Sequence, residues 1–228
     1  FAAVFAGFFY IKYSRPVFKN DSTILIIPDP KKAQPELFQG PEGMFEINKD
    51  VPNEIGILQS YNIADQTICE LGWNVSYFKN TKFLRQIELF KNVPFEVKID
   101  SNYFQIVNTP IDIEILSPKE YKLSINADKI ILYNYITNQY SIQRDFKYER
   151  TYKFGETVRI NYSKFTIYMT NPMYSPKYVE NYYFILERPS DITLRYMNSF
   201  EVNLLNKDAS ILKLSQRSSN PQKATEYL

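Results

Sequence analysis

The chain has 228 residues, enough for one large or two small domains, and 44% of them are hydrophobic, enough for a sizeable core. Its 27 basic and 25 acidic residues nearly balance, and no basic run indicates nucleic-acid binding. The sequence contains no histidine, which removes the commonest general base, metal ligand and pH switch. Cys69 is its only cysteine, so neither a disulfide nor a thiolate metal cluster is predicted.

The sequence opens with an apolar run, Phe1 to Ile11, with no charge before Lys12. A helix that spans a bilayer needs about 20 apolar residues, so this shorter run predicts the C-terminal half of a transmembrane helix over residues 1–12. A tyrosine and cations, such as Tyr10 and Arg15, follow where a helix leaves the bilayer. The residues predicted to lie in the membrane are Phe1, Val4, Phe5, Phe8, Phe9, Tyr10 and Ile11.

Two other interpretations of this run stay open. The core of a signal peptide has a similar length, although Tyr13 to Pro16 is a poor cleavage site. A buried helix of a globular core is the other, although five aromatic residues in eleven suit a membrane interface better. Lys12 and Arg15 follow the run, and positively charged flanks of membrane helices prefer the cytoplasm. This rule compares the charges on the two flanks of a helix, and the flank before Phe1 is not visible in this sequence.

The remaining chain is typical of a β-rich domain, because its nineteen tyrosines and seventeen phenylalanines favour strands. With only six glycines, tight turns are expected to use Asn, Asp and Pro. The strand predictions, several of them alternating, are Val17 to Ile27, Val75 to Phe78, Phe95 to Ile99, Ile111 to Ile115, Tyr121 to Ile125, Ile130 to Ile136, Lys164 to Thr170, Tyr182 to Glu187, Phe200 to Leu205 and Ile211 to Ser215.

Helices and loops are predicted between these strands. Residues 28–52 carry five prolines and two glycines and read as a long loop. A helix then follows, capped by Asn53 and ended by Gly72, with an apolar stripe and Cys69 in the core. Thr81 to Asn92 is predicted as either a short helix or a β-rich arm. Ser190 to Met197 is predicted as a short helix. Pro221, after the cap Asn220, begins a last helix that is truncated at Leu228.

These elements predict an α+β fold with a mixed, mainly antiparallel sheet and a few helices, tethered to a partly present transmembrane helix. Reactive motifs are missing: there is no histidine-based triad, no phosphate-binding loop and no dinucleotide fingerprint. Asp112 and Glu114 share a strand face, which an exposed antiparallel sheet explains without catalysis. The sequence therefore predicts no catalytic, cofactor-binding or metal-binding residue and no enzyme activity in this chain.

The order of several segments carries a resemblance to a known family. The segments are Arg15 to Ile26, Asn53 to Ser60 (NEIGILQS), Leu71 to Phe78, Tyr152 to Glu156, Ser210 to Ser215 and Asn220 to Ala224. Together they resemble the chain-length-determinant, or polysaccharide co-polymerase, family. The chain is most similar to the exopolysaccharide-transport members of Bacteroidetes-type bacteria, which usually carry a cytoplasmic tyrosine autokinase after a second membrane helix. Residues 101–150 match little of that family and are interpreted as a β-rich elaboration.

The resemblance implies a domain organisation and a location. Residues 13–228 would form a periplasmic chain-length-determinant-like α/β domain on the bacterial inner membrane, facing the periplasm. It implies a scaffold that oligomerises to control the chain length or export of exopolysaccharide or capsule. The implied partners are other copies of the chain and membrane lipid, with polysaccharide, polymerase and an outer-membrane export channel as further partners and no nucleic acid.

The family's long periplasmic helices, second membrane helix and kinase motifs are absent from this sequence, so no catalytic residue carries over. No cofactor is expected in this chain; ATP and Mg²⁺ would bind the parent protein if a kinase domain follows. The alternative function is a glycan-binding module of a membrane-anchored envelope protein, with Tyr182, Tyr183 and the Tyr174 to Tyr178 loop as sugar-stacking residues. A cytoplasmic enzyme fragment is the third hypothesis.

Overall fold

The computed structural model describes residues 5, 7, 16–26, 43–80, 86–161, 163–171, 181–205 and 211–228, and of residues 43–50 it describes the backbone alone. These residues divide into two compact units. The first, which we call the split unit, combines Val17–Gly72 with Pro189–Leu228. The second, the inserted unit, consists of Trp73–Arg188, which interrupts the split unit in the sequence, and the described residues 5, 7 and 16 are grouped with it.

Both units contain β-strands, and the split unit also contains helices. Its helices, within the described residues, are α1 (Gly43–Leu58), α2 (Tyr61–Leu71), α3 (Pro189–Ser199) and α4 (Pro221–Tyr227). The strands of the split unit are β1 (Phe18–Leu25), β12 (Phe200–Leu204) and β13 (Ile211–Ser218). Those of the inserted unit are β2 (Val75–Asn80), β3 (Gln86–Leu89), β4 (Phe95–Ile99), β5 (Phe104–Val107), β6 (Ile111–Ile115), β7 (Glu120–Asn134), β8 (Tyr140–Lys153), β9 (Thr157–Ile160), β10 (Ser163–Met169) and β11 (Asn181–Leu186).

The predicted class is confirmed in its coarse form, because the fold is mixed α+β and its sheets are mostly antiparallel. The fold class does not bear on the predicted membrane tether. Within the part of the chain that the structure describes, none of the helices combines the length and the apolar character that crossing a membrane requires.

The split unit is built on a three-stranded antiparallel sheet in the order β1-β13-β12. Residues alternate between its two faces, because successive side chains of a strand point in opposite directions. On one face Val202, Leu212 and Leu214 are buried and form a core with Val51 of α1. The partly buried Ile24 of β1 packs against this core, so all three strands and a helix contribute to it.

The opposite face of this sheet carries charges in complementary pairs. The Glu201 carboxylate lies 3.2 Å from Lys19 Nζ and 2.7 Å from Arg217 Nη2. Lys213 Nζ lies 2.9 Å from Asp21 Oδ2, and this hydrogen bond lowers the pKa of Asp21. These side chains are well exposed, so the pairs add little to the free energy of unfolding and mainly mark the solvent face.

The segment predicted as one helix from Asn53 is two helices with a break at Gln59–Ser60. Ser60, not Asn53, caps the second one, since its Oγ accepts a hydrogen bond from Ile63 N at 3.4 Å. Gly72 ends that helix as predicted, with a left-handed φ of 64° and its N–H bonded to the carbonyls of Ile68 and Cys69.

The prediction of a loop over residues 28–52 is wrong for residues 43–52, because α1 begins at Gly43 and contains Pro52. A proline inside a helix removes one backbone hydrogen bond, a local cost that the burial of the adjacent Val51 in the core offsets. Residues 28–42 of the predicted loop lie outside the described residues.

The predicted apolar stripe is buried only in its second half. Ala64 and Ile68 of α2 are buried, whereas Ile57 and Tyr61 are 52% and 44% exposed, on either side of the break. Cys69 was expected in the core and is exposed. It follows Ile68 and so points about 100° away around the helix from that buried side chain.

The first and last strands of the split unit lie side by side. The antiparallel ladder between β1 and β13 pairs Phe18 with Ser218 at one end. Helix α4 follows and packs on β1, where Asn20 Nδ2 donates to Pro221 O at 3.1 Å and to Thr225 Oγ1 at 2.6 Å. Asn220 caps α4 as predicted, with its side chain accepting from two backbone N–H groups.

The inserted unit leaves and rejoins the split unit at neighbouring points of its own fold. Val75 of β2 pairs with Leu186 of β11, and Glu187 N donates to Asn74 O at 2.9 Å. A unit with adjacent ends adds little strain to the chain that it interrupts. The segment 101–150, interpreted from sequence as an elaboration, lies within this unit.

The described residues of the inserted unit form a ten-stranded sheet in the order β3-β2-β11-β6-β7-β5-β10-β4, with β8 paired to β7 and β9 paired to β10. β7 pairs with β8 along almost its whole length and also with β6 and β5. Because β8 already occupies one side of β7, β6 and β5 must both lie on the other. This single long strand replaces the two separate strands predicted over 121–136.

The core of the inserted unit combines many aliphatic side chains with a set of aromatic rings. Phe184 of β11 is fully buried, with ring centroids 5.7 Å from Phe165 and 6.4 Å from Phe95 in edge-on arrangements. β4 and β11 are not neighbours in the sheet order, so these contacts run across the core. Tyr77 OH accepts a hydrogen bond from Val97 N at 3.0 Å, which gives this partly buried hydroxyl a partner.

Asparagine and aspartate take positions that glycine often takes elsewhere, as the composition predicted. Asn108, Asn138, Asp145 and Asn161 all have positive φ angles between 50° and 57°. These residues tolerate the left-handed region better than other non-glycine residues, because their short polar side chains hydrogen-bond locally.

Two glycines of the split unit provide a matched test of the helix boundaries. Gly72→Ala is expected to lower the free energy of unfolding by about 1–2 kcal/mol, because the left-handed φ strains a residue with a Cβ. Gly56→Ala, inside α1 with open space around its Cβ position, is expected to raise it by about 0.5–1 kcal/mol. Urea unfolding followed by circular dichroism measures both, and equal effects of the two substitutions would contradict the assigned break and cap.

Candidate functional site

The inserted unit has an open cavity of about 510 Å³ at one end of its sheet. This volume lies within the range of about 300–1,000 Å³ that is usual for small-molecule sites. Most of its lining side chains are polar, and its apolar side chains are Ile99, Phe165 and Tyr168. The lining includes Lys98, Asp100, Asn102, Thr157, Thr166 and Tyr168.

Strand register brings these side chains together. Thr166 of β10 pairs with Lys98 of β4 on one side and with Thr157 of β9 on the other, so the three side chains form a row on the solvent face. Tyr168 follows on the same face of β10, two residues along, and Lys164 precedes it. The residues between them, such as Phe165, point into the core.

A turn after β4 completes the cavity and is held by Asp100. Asp100 Oδ1 accepts hydrogen bonds from the backbone N of Asn102 at 3.2 Å and from its Nδ2 at 3.1 Å. The Nε2 of the buried Gln105 donates to the carbonyls of Asp100 and Lys164, both at 2.8 Å. The turn is therefore bound to strand β10 by both backbone and side-chain contacts.

Lys164 is matched in charge by Asp100, with Nζ and Oδ2 separated by 2.8 Å. The hydrogen bond from Lys164 lowers the pKa of Asp100, burial opposes it, and the bonds from Asn102 act in the same direction as Lys164. Lys164 Nζ also lies 4.7 Å from the ring centroid of Tyr103, which is 44% exposed beside the cavity.

Lys98 is the other cation of the cavity. Its Nζ lies 5.4 Å from the ring centroid of Tyr168, and the Tyr168 side chain is 43% exposed. Within the described residues Lys98 makes no ion pair. This leaves a cation beside an accessible aromatic ring at the open end of the cavity.

The predicted membrane-embedded residues are mostly outside the described part of the chain. Of the seven, the structure describes Phe5 alone, and its side chain is 68% exposed. Phe1, Val4, Phe8, Phe9, Tyr10 and Ile11 lie outside the described residues. Their placement in a membrane stays a prediction.

The tyrosines predicted to stack on sugars are not suited to that role where they are described. Tyr182 and Tyr183 of β11 are each only 4% exposed, so the prediction is wrong for both. β11 lies between β2 and β6, and Tyr183 stacks on Phe78 with ring centroids 4.7 Å apart. The Tyr174 to Tyr178 loop lies outside the described residues.

The carboxylates that the sequence pattern singled out belong to a solvent face. Glu114 of β6 is paired with Lys122 of β7, and Asp112 is paired with Ser124. Lys122 Nζ lies 2.8 Å from Glu149 on β8, so the neighbourhood is a cross-strand charge array. Among the described residues, no group of three or more acidic or cysteine side chains is arranged to hold a metal ion.

Sequence reasoning did not find the cavity, although part of the signal was present. The sequence predicts strands over Phe95 to Ile99, which alternates strictly, and over Lys164 to Thr170, in the same style. What brings Lys98 to Thr166 and Tyr168 is the pairing of β4 with β10, two strands far apart in sequence. Neither alternation nor composition specifies that partner or its register.

Comparison with protein-family models finds none that matches this chain, and comparison with curated proteins finds no match either. The sequence resemblance and the contacts described above are therefore the basis for proposing a function.

The Asp100–Lys164 pair makes a pH-dependent contribution to stability. Because the folded pKa of Asp100 lies below its ordinary value of 3.8, its stabilisation is present above that value and is lost as the pH falls through the folded pKa. Lys164→Met is expected to raise the Asp100 pKa toward 3.8, as measured by NMR titration of the carboxyl carbon. Lys122→Met, which removes the partner of Glu149 instead, is the control and should leave that pKa unchanged.

Proposed function

We propose that this chain is the periplasmic scaffold part of an inner-membrane polysaccharide co-polymerase of the exopolysaccharide-transport type. In this role it assembles with copies of itself and governs the chain length or export of a polysaccharide. It catalyses no reaction of its own, and ATP and Mg²⁺ act in a kinase domain of the parent protein if one follows.

The observation that carries this proposal is the pairing of the first and last strands of the split unit. β1 comes soon after the apolar opening run, and β13 leads into α4, which packs back on β1. The ladder pairs Phe18 with Ser218, so the two ends of the split unit lie at one end of its sheet. A domain moored through the segment before β1 would therefore carry its load directly into the β1–β13 ladder and the α4 contacts.

The edges of the same sheet support assembly. Among the described residues, β1 and β12 each pair only with β13, so each has one edge with unpaired backbone groups. Such edges are ready to pair with another chain. Because the two edges belong to different strands, one copy can offer β1 to the β12 of the next, a head-to-tail contact that closes into a ring if the rotation permits.

The inserted unit supports the proposal through its independence. Its ends are adjacent at Val75 and Leu186, and it has its own hydrophobic core. Such a unit can be added to a scaffold without changing the sheet that the scaffold uses for mooring. This agrees with the resemblance, in which residues 101–150 match little of the family.

The assembly is tested on the full-length parent protein in mild detergent. We expect a mass of several protomers and a ladder of cross-linked species, because the open sheet edges and the membrane segment both favour contact between copies. Light scattering with detergent correction measures the mass. A protein that stays strictly monomeric over a wide concentration range, and gives no cross-linked product, would count against the scaffold proposal.

The location is tested with Cys69, because its thiol is exposed in the folded chain. In spheroplasts, which keep the inner membrane intact, a membrane-impermeant maleimide is expected to label the native full-length protein. Cys69→Ser is the control for labelling of any cysteine elsewhere in the parent. Labelling that occurs only after the inner membrane is broken would place the domain in the cytoplasm and overturn the proposal.

A further inference from the structure

The geometry points to the cavity of the inserted unit, which we call the Tyr168 cavity, as a binding site for an acidic saccharide. The ligand is a sugar residue that carries a carboxylate, as a hexuronate does. Its ring would lie against Tyr168 and its carboxylate beside Lys98. The site does not depend on ring assembly, although a polysaccharide scaffold would give such a ligand a natural source.

The polarity of the lining selects the class of ligand. Hydroxyls of Thr157 and Thr166, the amide of Asn102 and the Asp100 carboxylate line the cavity together. Small-molecule sites are usually lined mostly by apolar side chains with few polar groups, whereas polar side chains outnumber apolar ones in this lining. Thr166 Oγ1 donates to Thr157 Oγ1 at 3.4 Å and Asn102 Nδ2 donates to Asp100 Oδ1, so each of these groups has one partner in the protein. A ligand rich in hydroxyl groups can use their remaining donor and acceptor capacity, whereas a lipid chain would only remove it from water.

An exposed aromatic ring provides the apolar surface that such a polar ligand also requires. Tyr168 is 43% exposed, although the alternate residues of its strand are buried in the core. Its ring borders the turn at Gly155, where a Cβ would come within 4.0 Å of Cε1. Tyrosine offers a flat apolar face together with a polar hydroxyl, which suits a sugar ring better than an aliphatic side chain does.

The charges on this face favour an anionic form of the sugar. Three basic and two acidic side chains point to solvent on β4, on the turn that follows β4, and on β9 and β10. They are Lys98, Arg159, Lys164, Glu96 and Asp100. The cavity lining contains two of these cations, Lys98 and Lys164, and Lys164 is paired with Asp100. Lys98 is therefore the lining cation that can form a charge-assisted hydrogen bond with a ligand carboxylate, although Glu96 lies across from Tyr168 on the same face.

The site is held in place before any ligand arrives. Gln105 clamps the Asp100 turn to β10, and Lys164 is fixed between the Asp100 carboxylate and the Tyr103 ring. Pairing of β4 with β10 sets the spacing of Lys98 and Tyr168. A preorganised site loses less side-chain entropy on binding, so even a shallow cavity can recognise its ligand.

The test compares two ligands of the same sugar skeleton and different charge. The chain in mild detergent is titrated by calorimetry with trigalacturonate and with its trimethyl ester, in which an uncharged methyl ester replaces each carboxylate. We expect the acid to bind at millimolar or tighter concentration and the ester to bind at least about tenfold more weakly, because the pairing with Lys98 is lost. The preference should shrink as salt is raised, since the charges are exposed.

Three variants assign that binding to the Tyr168 cavity. Tyr168→Ala is expected to weaken trigalacturonate binding about tenfold, the scale of one lost ring contact, and Tyr168→Leu is the alternative if the alanine variant misfolds. Lys98→Met should abolish the preference for the acid over the ester. Tyr140→Ala removes a tyrosine that is 65% exposed on β8, outside the cavity lining, and should change neither affinity.

Each result decides for or against the site. The inference would be overturned if trigalacturonate did not bind at concentrations up to about 10 mM. It would also be overturned if the acid and the ester bound equally well. Equal losses from Tyr140→Ala and Tyr168→Ala would also overturn it, as would inorganic phosphate that competes as well as the saccharide. Because these measurements do not depend on the oligomeric state, their failure is distinguishable from failure of the scaffold proposal.

Discussion

The antiparallel ladder between β1 and β13 is the interaction on which the split unit depends. It joins strands from opposite ends of the chain: the hydrogen bond from Asn20 to Pro221 spans 201 positions. The entropic cost of closing a loop grows only slowly with its length, and a folded insert with adjacent ends shortens the effective loop further. The Asn74 and Glu187 pairing provides that closure within the inserted unit. Two nested closures, one in each unit, therefore hold the chain together.

The two ends of this ladder lie together. Because β1 and β13 are antiparallel and Phe18 pairs with Ser218, a force that separates these two residues would break the pairs of the ladder one after another from that end. Helix α4 reinforces the ladder through the Asn20 contacts, and the charge pairs around Glu201 and Asp21 keep the outer face hydrated. The buried face, built from Val202, Leu212 and Leu214, supplies the larger share of stability, because apolar burial outweighs exposed ion pairs.

The inserted unit illustrates how a single alternation can produce both a core and a site. Along β10, Phe165 and Ile167 are buried, while Thr166 and Tyr168 face solvent. The inward residues pack against Phe184 and fix the strand, and the strand in turn fixes the spacing of the outward ones. The rigidity of the Tyr168 cavity therefore derives from the aromatic core behind it, since its side chains stand on paired strands and on a turn bound to them.

The sequence by itself determined the class of fold, most strands, the caps at Gly72 and Asn220, and the absence of histidine chemistry, because these follow from local periodicity, side-chain type and backbone conformation. It did not determine the helical state of residues 43–52 or the burial of Tyr182 and Tyr183. Pro52 reads locally as a helix breaker, and a tyrosine pair reads locally as amphipathic. Only the tertiary structure decided that Val51 reaches a core, that β11 is a central strand, and that Lys98 stands beside Tyr168. Each of these depends on a pairing between distant segments. The free energy of such a pairing depends on both segments together, so neither segment predicts it alone.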